Sequence, residues 1–257
     1  IKALYAELIV PVTKQLEFNL QARHDDYSAI GGTTNPKVAF RYQPSQSVLL
    51  RGSLNTGFRA PSVQQLAAGE ITRELTAPFD DPALCPKDPT QCGLVGMDYR
   101  LGGNANLKPE KSKQGTLGIV LAPMAGFTLS TDYWAVDIDD RIRQLTPQDV
   151  IANRTLFPDN FVRMGDGTMD YIRAGWINAA GSKDRGLDLG ARLDGKLGGG
   201  RWTASLDGTY LITHKERALA VLPLQELVGE FGLRTLYLRW KHTAGLNYSS
   251  GAWSTTF

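Results

Sequence analysis

The chain has 257 residues, of which 42% are hydrophobic and 21% charged, and its formal net charge is +2. That length holds one large β domain or two ordinary ones, and the composition excludes a disordered chain. Lysine and arginine form no run of the kind that tracks phosphates, so no nucleic-acid partner is expected. No stretch approaches 18 consecutive apolar residues, so no transmembrane helix is expected.

Taken in order, the chain alternates strands with turns and loops. A first strand is predicted over Ala3–Val10, closed by the turn Pro11-Val12-Thr13-Lys14. A second covers Gln15–Asp25, where Leu16, Phe18, Leu20 and Ala22 alternate with Glu17, Asn19, Gln21 and Arg23. A glycine-rich loop, Asp26–Asn35, separates it from a third strand, Lys37–Gln43. After a turn at Pro44-Ser45 a fourth strand covers Gln46–Gly57, and a very long loop, Phe58–Pro109, follows. Strand five is Lys111–Leu121, the turn is Pro123–Gly126, and strand six is Phe127–Arg141. A long loop over Ile142–Thr168 leads to Asp170–Leu193. This segment is read as one strand with a bulge near Gly181, because splitting it in two would move the next long loop to the wrong end. The turn Gly198-Gly199-Gly200 gives strand eight, Arg201–Thr213. The loop His214–Arg234 gives strand nine, Tyr237–Tyr248, and strand ten starts at Ala252. Every second connection is thus expected to be short and the others long. This is the pattern of outer-membrane barrels, and a soluble sandwich would show shorter strands and more even loops.

Aromatic spacing points the same way. Trp202 and Tyr210 lie on one face of strand eight, and Trp240 and Tyr248 on one face of strand nine. Eight residues of strand tilted by about 40° rise roughly 21 Å, close to an apolar band of about 25 Å between aromatic girdles. Tyr210 is then expected beside Trp240, and Trp202 beside Tyr248, as membrane-interface aromatics. Outward positions between them are Ala204, Leu206, Gly208, His242, Ala244 and Leu246. Inward ones include Thr203, Ser205, Asp207, Arg239, Lys241, Thr243 and Asn247.

Chemistry is sparse. Cys85 and Cys92 bracket seven residues' separation in a polar loop. A metal site would want further ligands, and a disulfide pinching the loop tip is favoured. His24, His214 and His242 sit on separate elements, and no HExxH, GxSxG or CxxC occurs, so neither an enzyme nor a cofactor or metal site is expected. A calcium site at Asp137, Asp139 and Asp140 is the weaker reading of a strand end. The apolar run Ala218–Leu224 reads either as an entry-site lining or as a short buried helix or turn. No signal peptide is visible at Ile1, and the chain opens and closes inside strands, so a piece of a longer protein is expected.

One pair of motifs is more specific. Strand four ends in Gly57-Phe58-Arg59-Ala60-Pro61-Ser62, with Leu66 beyond. Strand five is introduced by Gly103-Asn104-Ala105-Asn106-Leu107-Lys108-Pro109-Glu110-Lys111-Ser112. Together, on either side of one long loop, they resemble the TonB-dependent outer-membrane receptor family. Trp134–Ile142 is similar to an aromatic-rich strand end of that family. Asn178, Arg185, Gly186 and Asp188 resemble another of its strands, and are expected to be bulge and lumen-facing residues. The resemblance implies an all-β, antiparallel transmembrane barrel. Residues 1–257 would be a partial barrel domain, ten meander strands of about 22, without the plug. It implies an outer-membrane active transporter of a Gram-negative bacterium. Such a receptor binds a scarce nutrient (a siderophore, a cobalamin or an oligosaccharide) at extracellular loops, and its partners are outer-membrane lipid and the TonB energy-coupling complex, reached through an amino-terminal region. Arg59, Asn104 and Glu110 are expected to fix loops. A passive porin without a plug is the alternative.

Overall fold

The computed structural model describes residues 1–28, 30–231 and 236–257. Ala29 of the expected loop 26–35, and residues 232–234 of the expected loop 214–234, lie outside the described residues, as does Thr235. The strands are β1 (Lys2–Pro11), β2 (Leu16–Tyr27), β3 (Gly31–Ser45), β4 (Val48–Arg59), β5 (Ile71–Leu75), β6 (Met97–Gly102), β7 (Glu110–Met124), β8 (Phe127–Gln144), β9 (Phe161–Arg163), β10 (Met169–Leu197), β11 (Gly200–Arg217), β12 (Gln225–Glu226), β13 (Trp240–Ser250) and β14 (Trp253–Thr256). Two short helices are α1 (Val63–Ala67) and α2 (Pro147–Ala152).

The chain divides into two compact units. The first comprises Ile1–Arg59, Lys111–Asp139 and Ala180–Phe257, and the second Ala60–Glu110 and Asp140–Ala179. In the first unit ten strands follow the chain as a meander, β1-β2-β3-β4-β7-β8-β10-β11-β13-β14. Ten was the number expected. Long connections join β4 to β7, β8 to β10 and β11 to β13; the others are short, and use glycine where the backbone turns left-handed, as at Gly126 (φ 79°) and at Gly198 and Gly199 (φ 55° and 82°).

Register fixes what each face carries, because directly paired residues share a face. Leu8 pairs Leu20, Leu20 pairs Val38, and Val38 pairs Leu54. Glu7 pairs Gln21, which pairs Lys37, which pairs Asn55. The alternation read in the second strand therefore extends across four strands. At the far side Trp202 pairs Tyr248 and Tyr210 pairs Trp240, as expected, with Ala204–Leu246 and Leu206–Ala244 between them. The Tyr210 and Trp240 rings sit 6.3 Å apart, tilted.

Several boundaries differ from expectation. The glycine-rich loop 26–35 is reduced to the gap between Tyr27 and Gly31, so this connection is short and the strict alternation of short and long connections fails there. Thr33 and Thr34 are good strand residues, and Thr34 Oγ1 lies 2.8 Å from His24 Nδ1 across the ladder, which holds the strands together. β10 is a single strand of 29 residues, but its register shift lies between Arg185 and Gly186 rather than near Gly181. Trp134 packs over Gly186, a contact that any Cβ there would obstruct. β11 runs on to Arg217, and β13 begins at Trp240, while Tyr237 forms an isolated bridge with Val228. The apolar run 218–224 is a turn, with Leu222 N donating to Leu219 O at 3.0 Å; Leu219 is buried and Val221 exposed.

The second unit is built from the two longest connections, which are not structureless. Its sheet has the order β5-β6-β10-β9, antiparallel except for a parallel β6–β10 ladder pairing Asp98–Gly102 with Tyr171–Gly175. Its core holds Leu75, Phe79, Leu107, Leu145, Val150, Phe161, Met169 and Ile172. α2 begins with a capping box in which Thr146 Oγ1 accepts from Asp149 N at 3.1 Å and Asp149 Oδ2 accepts from Thr146 N at 2.8 Å.

Candidate functional site

Two surfaces carry the chemistry, one in each unit. In the first unit it is the polar face of the meander. Arg51 grips Asp132 with two parallel bonds, Nε to Oδ1 at 2.8 Å and Nη2 to Oδ2 at 2.7 Å, over 81 residues of sequence. Ser53 and Thr116 meet at 2.9 Å, and Thr209 Oγ1 donates to Asp188 at 2.7 Å. Glu7 accepts from Asn19 at 2.7 Å and Gln21 at 2.8 Å. Two open hollows lie along this face, sharing Asp132 and Asp188, with Lys37 and Arg51 beside one and Asp207 and Lys241 beside the other. The face thus offers alternating cations, carboxylates and hydroxyls. It suits hydrogen-bonding to a polar filling rather than covalent chemistry.

The opposite face is apolar, and no described residue covers it. Leu8, Leu20, Val38, Leu54, Leu117, Leu189, Leu206 and Leu246 are all exposed on it. Burying one such side chain is worth about 1.5–3 kcal/mol, so a face of this extent calls for an apolar surrounding. His242 is on this face, with its ring centroid 6.1 Å from Trp240. Arg185 departs from its expected lumen-facing position. It reaches Asp137 at 2.7 Å, on the face opposite Asp188, because alternation along β10 puts Arg185 on the side of Leu187; the extra residue of the register shift, Ile212, belongs to β11.

The second unit brings the two motif halves together. Ser62 caps α1, its Oγ accepting from Gln65 N at 3.1 Å while Gln65 Oε1 accepts from Ser62 N at 2.9 Å. Gly103 N then donates to Ala68 O at 2.9 Å and Asn104 N to Gln65 O at 2.8 Å, so the second motif lies against the helix that the first one starts. Pro61 and Leu107 are buried. Asn104 Nδ2 donates to Trp176 O at 2.9 Å, and its Oδ1 accepts from Asn106 N. Buried Glu110 accepts from Ile142 N at 2.7 Å. Asn178 holds three segments at once: it accepts from Lys108 N and donates to Lys108 O and Asp140 O, each at 2.8 Å. The remaining motif residues belong to the first unit or the start of the second. A Cβ on Gly57 would meet Ser112 Oγ at 2.8 Å, Phe58 packs edge-on against Tyr27 at 5.6 Å, and Arg59 is the last residue of β4, with Ala60 following. Pro109 precedes β7.

Sequence reasoning missed the strongest anchor of this unit. Asp81, with a fully buried carboxylate, accepts from Arg163 Nη2 at 2.7 Å and Nη1 at 2.8 Å, and from Ala83 N and Leu84 N at 2.8 and 3.1 Å. Burial pushes the carboxyl up, but the guanidinium and the two N–H groups outweigh it and hold it below the usual carboxylate range. Nothing in the local sequence links residues 82 positions apart. Nearby, Arg100 stacks on Tyr171 at 3.8 Å. A cavity of about 300 Å³ opens between Glu70, Asn104, Asn160 and Arg173, at the lower end of the range for small-molecule sites.

The Cys85 and Cys92 sulfurs are bonded, with Cα atoms 4.9 Å apart. Asp80 lies close enough to complete a trio of ligand atoms with them, but disulfide sulfurs are not thiolate ligands, and Asp80 accepts from Gly93 N at 2.8 Å. The bridge closes a small loop, and removing it is expected to cost about 2.5 kcal/mol. A Cys85→Ser/Cys92→Ser variant of the complete protein should therefore exchange backbone amides of 81–94 tens of times faster, with the first unit unchanged. Hydrogen-exchange mass spectrometry reads this directly. Two of the three carboxylates weighed for calcium, Asp137 and Asp139, are engaged with cations. Each reaches an arginine, Asp137 to Arg185 and Asp139 to Arg217 at 3.6 Å. His214 lies against Asp184, with its ring 3.9 Å from that of Tyr237.

A profile described as "TonB dependent receptor-like, beta-barrel" matches residues 1–257. No relative was found among curated proteins. Among solved structures the chain is similar to a point mutant of the ferric enterobactin receptor PfeA of Pseudomonas aeruginosa. The TM-score is 0.68 and the identity 17%, over 99% of this chain and 31% of that one. It is also similar to the siderophore receptor PirA of Acinetobacter baumannii (TM-score 0.62, 19% identity, 97% of this chain and 31% of that one). A third match is the FrpB iron transporter of Neisseria meningitidis (TM-score 0.55, 16% identity, 96% of this chain and 30% of that one). The chain thus spans about a third of the length of these proteins.

Proposed function

The chain belongs to the TonB-dependent receptor family, as part of its β-barrel, and from this we propose that the complete protein imports a scarce iron-bearing siderophore across the outer membrane of a Gram-negative bacterium. Receptors of this family are outer-membrane transporters rather than enzymes. The observation that carries the reading is the division of the ten-strand meander into an exposed aliphatic face and a continuous polar face, in a chain that the family profile matches throughout. Hydrocarbon surrounds the first, with Trp202, Tyr210, Trp240 and Tyr248 at its two margins. The second lines the lumen and meets a plug domain. Ligand is taken at the extracellular side, and TonB supplies the energy through the plug. Siderophore is preferred to cobalamin or oligosaccharide because the similar structures are titled as siderophore receptors and an iron transporter.

The test is uptake in a strain stripped of its own receptors and expressing the complete protein, with and without TonB. Radiolabelled iron is supplied on a panel of siderophores, with labelled cobalamin and a labelled oligosaccharide in parallel. Saturable iron uptake that vanishes without TonB is expected. Uptake that is linear in concentration and indifferent to TonB would establish the porin reading instead.

A further inference from the structure

We propose that His214 and Glu216 of β11 bind a first-row divalent cation of the zinc class, with Asp184 of β10 orienting the imidazole. The site lies wholly within the first unit. It does not depend on which nutrient the receptor imports.

His214 and Glu216 are two residues apart on β11, so both side chains leave the same face of the strand. Asp184 stands opposite His214 in the ladder, and Ser182 opposite Glu216. Lys183, Lys215 and Arg217 leave the other face, where Lys215 pairs Glu226 of β12 and Arg217 reaches Asp139. The Asp184 carboxylate lies against Nδ1 of the imidazole. That contact assigns the ring proton to Nδ1 and leaves the lone pair of the neutral ring on Nε2. His214 is only 8% exposed, and the Tyr237 ring covers it at 3.9 Å between centroids. Nε2 is buried and makes no hydrogen bond among the described residues. Facing it at 3.6 Å is Glu216 Oε1.

A proton does not fill this gap. An N–H···O bond spans about 2.7–3.2 Å, so an N–H on Nε2 falls short of the carboxylate. A metal ion between the two atoms does fill it. On bonds of about 2.1 Å, ligand atoms 3.6 Å apart subtend about 120°, close to the angle in a four-coordinate zinc site. A carboxylate behind Nδ1 is the usual partner of a ligating histidine, fixing its tautomer and raising its basicity. Imidazole nitrogen beside carboxylate oxygen selects zinc and its neighbours over calcium and magnesium, which take oxygen. Water completes the coordination. Glu226 is committed to the backbone, its Oε1 accepting from His214 N at 2.9 Å and Val228 N at 3.1 Å. With Leu227 N donating to His214 O at 2.8 Å, these bonds fold residues 225–228 back on β11. A cation on His214 therefore stiffens the base of the connection from β11 to β13. The site matches no metal motif in the sequence, because Asp184 comes from 30 residues away.

The experiment uses the complete receptor, purified in detergent and stripped of metal with a chelator. Isothermal titration calorimetry reads binding of Zn²⁺ and, in a parallel titration, of Ca²⁺. The parent is expected to bind an equivalent of Zn²⁺ that His214→Ala lacks. Glu216→Gln is expected to bind that equivalent about tenfold or more weakly, and Asp184→Asn about 10–100-fold more weakly, as when the outer partner of a ligating histidine is lost. His242→Ala, altered on the apolar face, is expected to bind like the parent. Zn²⁺ should also slow amide exchange over 225–228 in the parent and not in His214→Ala, because an ion that binds only the folded form protects it. Heat-modifiable migration on gels checks the fold of each variant. Glu216 lies nearer the surface than His214, so Glu216→Gln carries the test if His214→Ala does not fold. Undiminished Zn²⁺ binding in His214→Ala or in Glu216→Gln overturns the site. Asp184→Asn binding as tightly as the parent overturns the orienting role. Ca²⁺ binding there as tightly as Zn²⁺ overturns the assignment to the zinc class.

Discussion

Replacing Asp81 by asparagine is expected to loosen the second unit by about 3 kcal/mol, the usual cost of removing one partner from a buried ion pair. The amide still accepts a bond, but Arg163 loses the charge that offsets its own desolvation, and the turn at Ala83 and Leu84 loses an anionic acceptor. Amides of 79–84 and 161–172 should exchange about a hundredfold faster than in the unaltered receptor. Adding Arg163→Met should recover part of the loss, because the uncompensated cation is then gone. If Asp81→Asn exchanges at the parent rate, the pair is ornamental. The same pair predicts a pH response. Asp81 is held below the ordinary carboxylate range, so its contribution is fully present above an ordinary pKa of about 3.9 and is lost as pH falls through the lower folded value. Protection of 79–84 should be unchanged between pH 7 and 5 and should fall steeply below pH 4.

The second large effect is expected at Gly103. A Cβ here would stand 2.6 Å from Ala68 N, and 2.8 Å from both Ala67 N and Leu66 C. These are backbone atoms of α1 and its cap, so no rotamer change makes room. Gly103→Val is expected to displace α1, break the Gly103–Ala68 and Asn104–Gln65 bonds, and cost about 3 kcal/mol. Its neighbour is the control. A Cβ on Gly102 would meet Glu70 Cγ at 3.0 Å, the flexible part of a long side chain, so Gly102→Ala should be tolerated. Limited proteolysis between residues 60 and 75 separates the two: rapid cleavage in Gly103→Val, parental resistance in Gly102→Ala. Resistance in both would mean that the motif's glycine is not there for close approach.

These two sites mark where sequence reading stopped. The meander and its pairings were legible because a strand buried on one face has a period of two, and Trp202, Tyr210, Trp240 and Tyr248 fix register by spacing alone. The motif halves around 57–66 and 103–112 were legible as a pair, but not the reason for pairing, which is a helix of five residues docked on a glycine. Gly31-Gly32-Thr33-Thr34-Asn35 reads as a loop by composition, yet it continues β3, because cross-strand contacts outweigh local preference. The register shift was expected at a glycine and was found beside one, at Gly186, where the indole of Trp134 from another strand decides the position. Asp81 and Arg163 were illegible because nothing local links residues 82 positions apart.

The parallel pairing of β6 with β10 has a consequence in time rather than in space. Its partners are about seventy residues apart, and the amide of Asn178 closes a separation of 70 residues to Lys108 and 38 to Asp140. Closure of such separations must be accomplished before any contact repays it, which makes the step slow. Residues 60–110 have β5–β6 as a local hairpin early, but wait for 169–179 to complete their sheet. While the β1–β4 meander assembles from neighbours, the segment holding both cysteines is still waiting for its core. The order of assembly is therefore written into the topology: hairpins first, the loop unit last, and the Cys85–Cys92 bridge, closing over only seven residues, able to form ahead of the sheet it ends up beside.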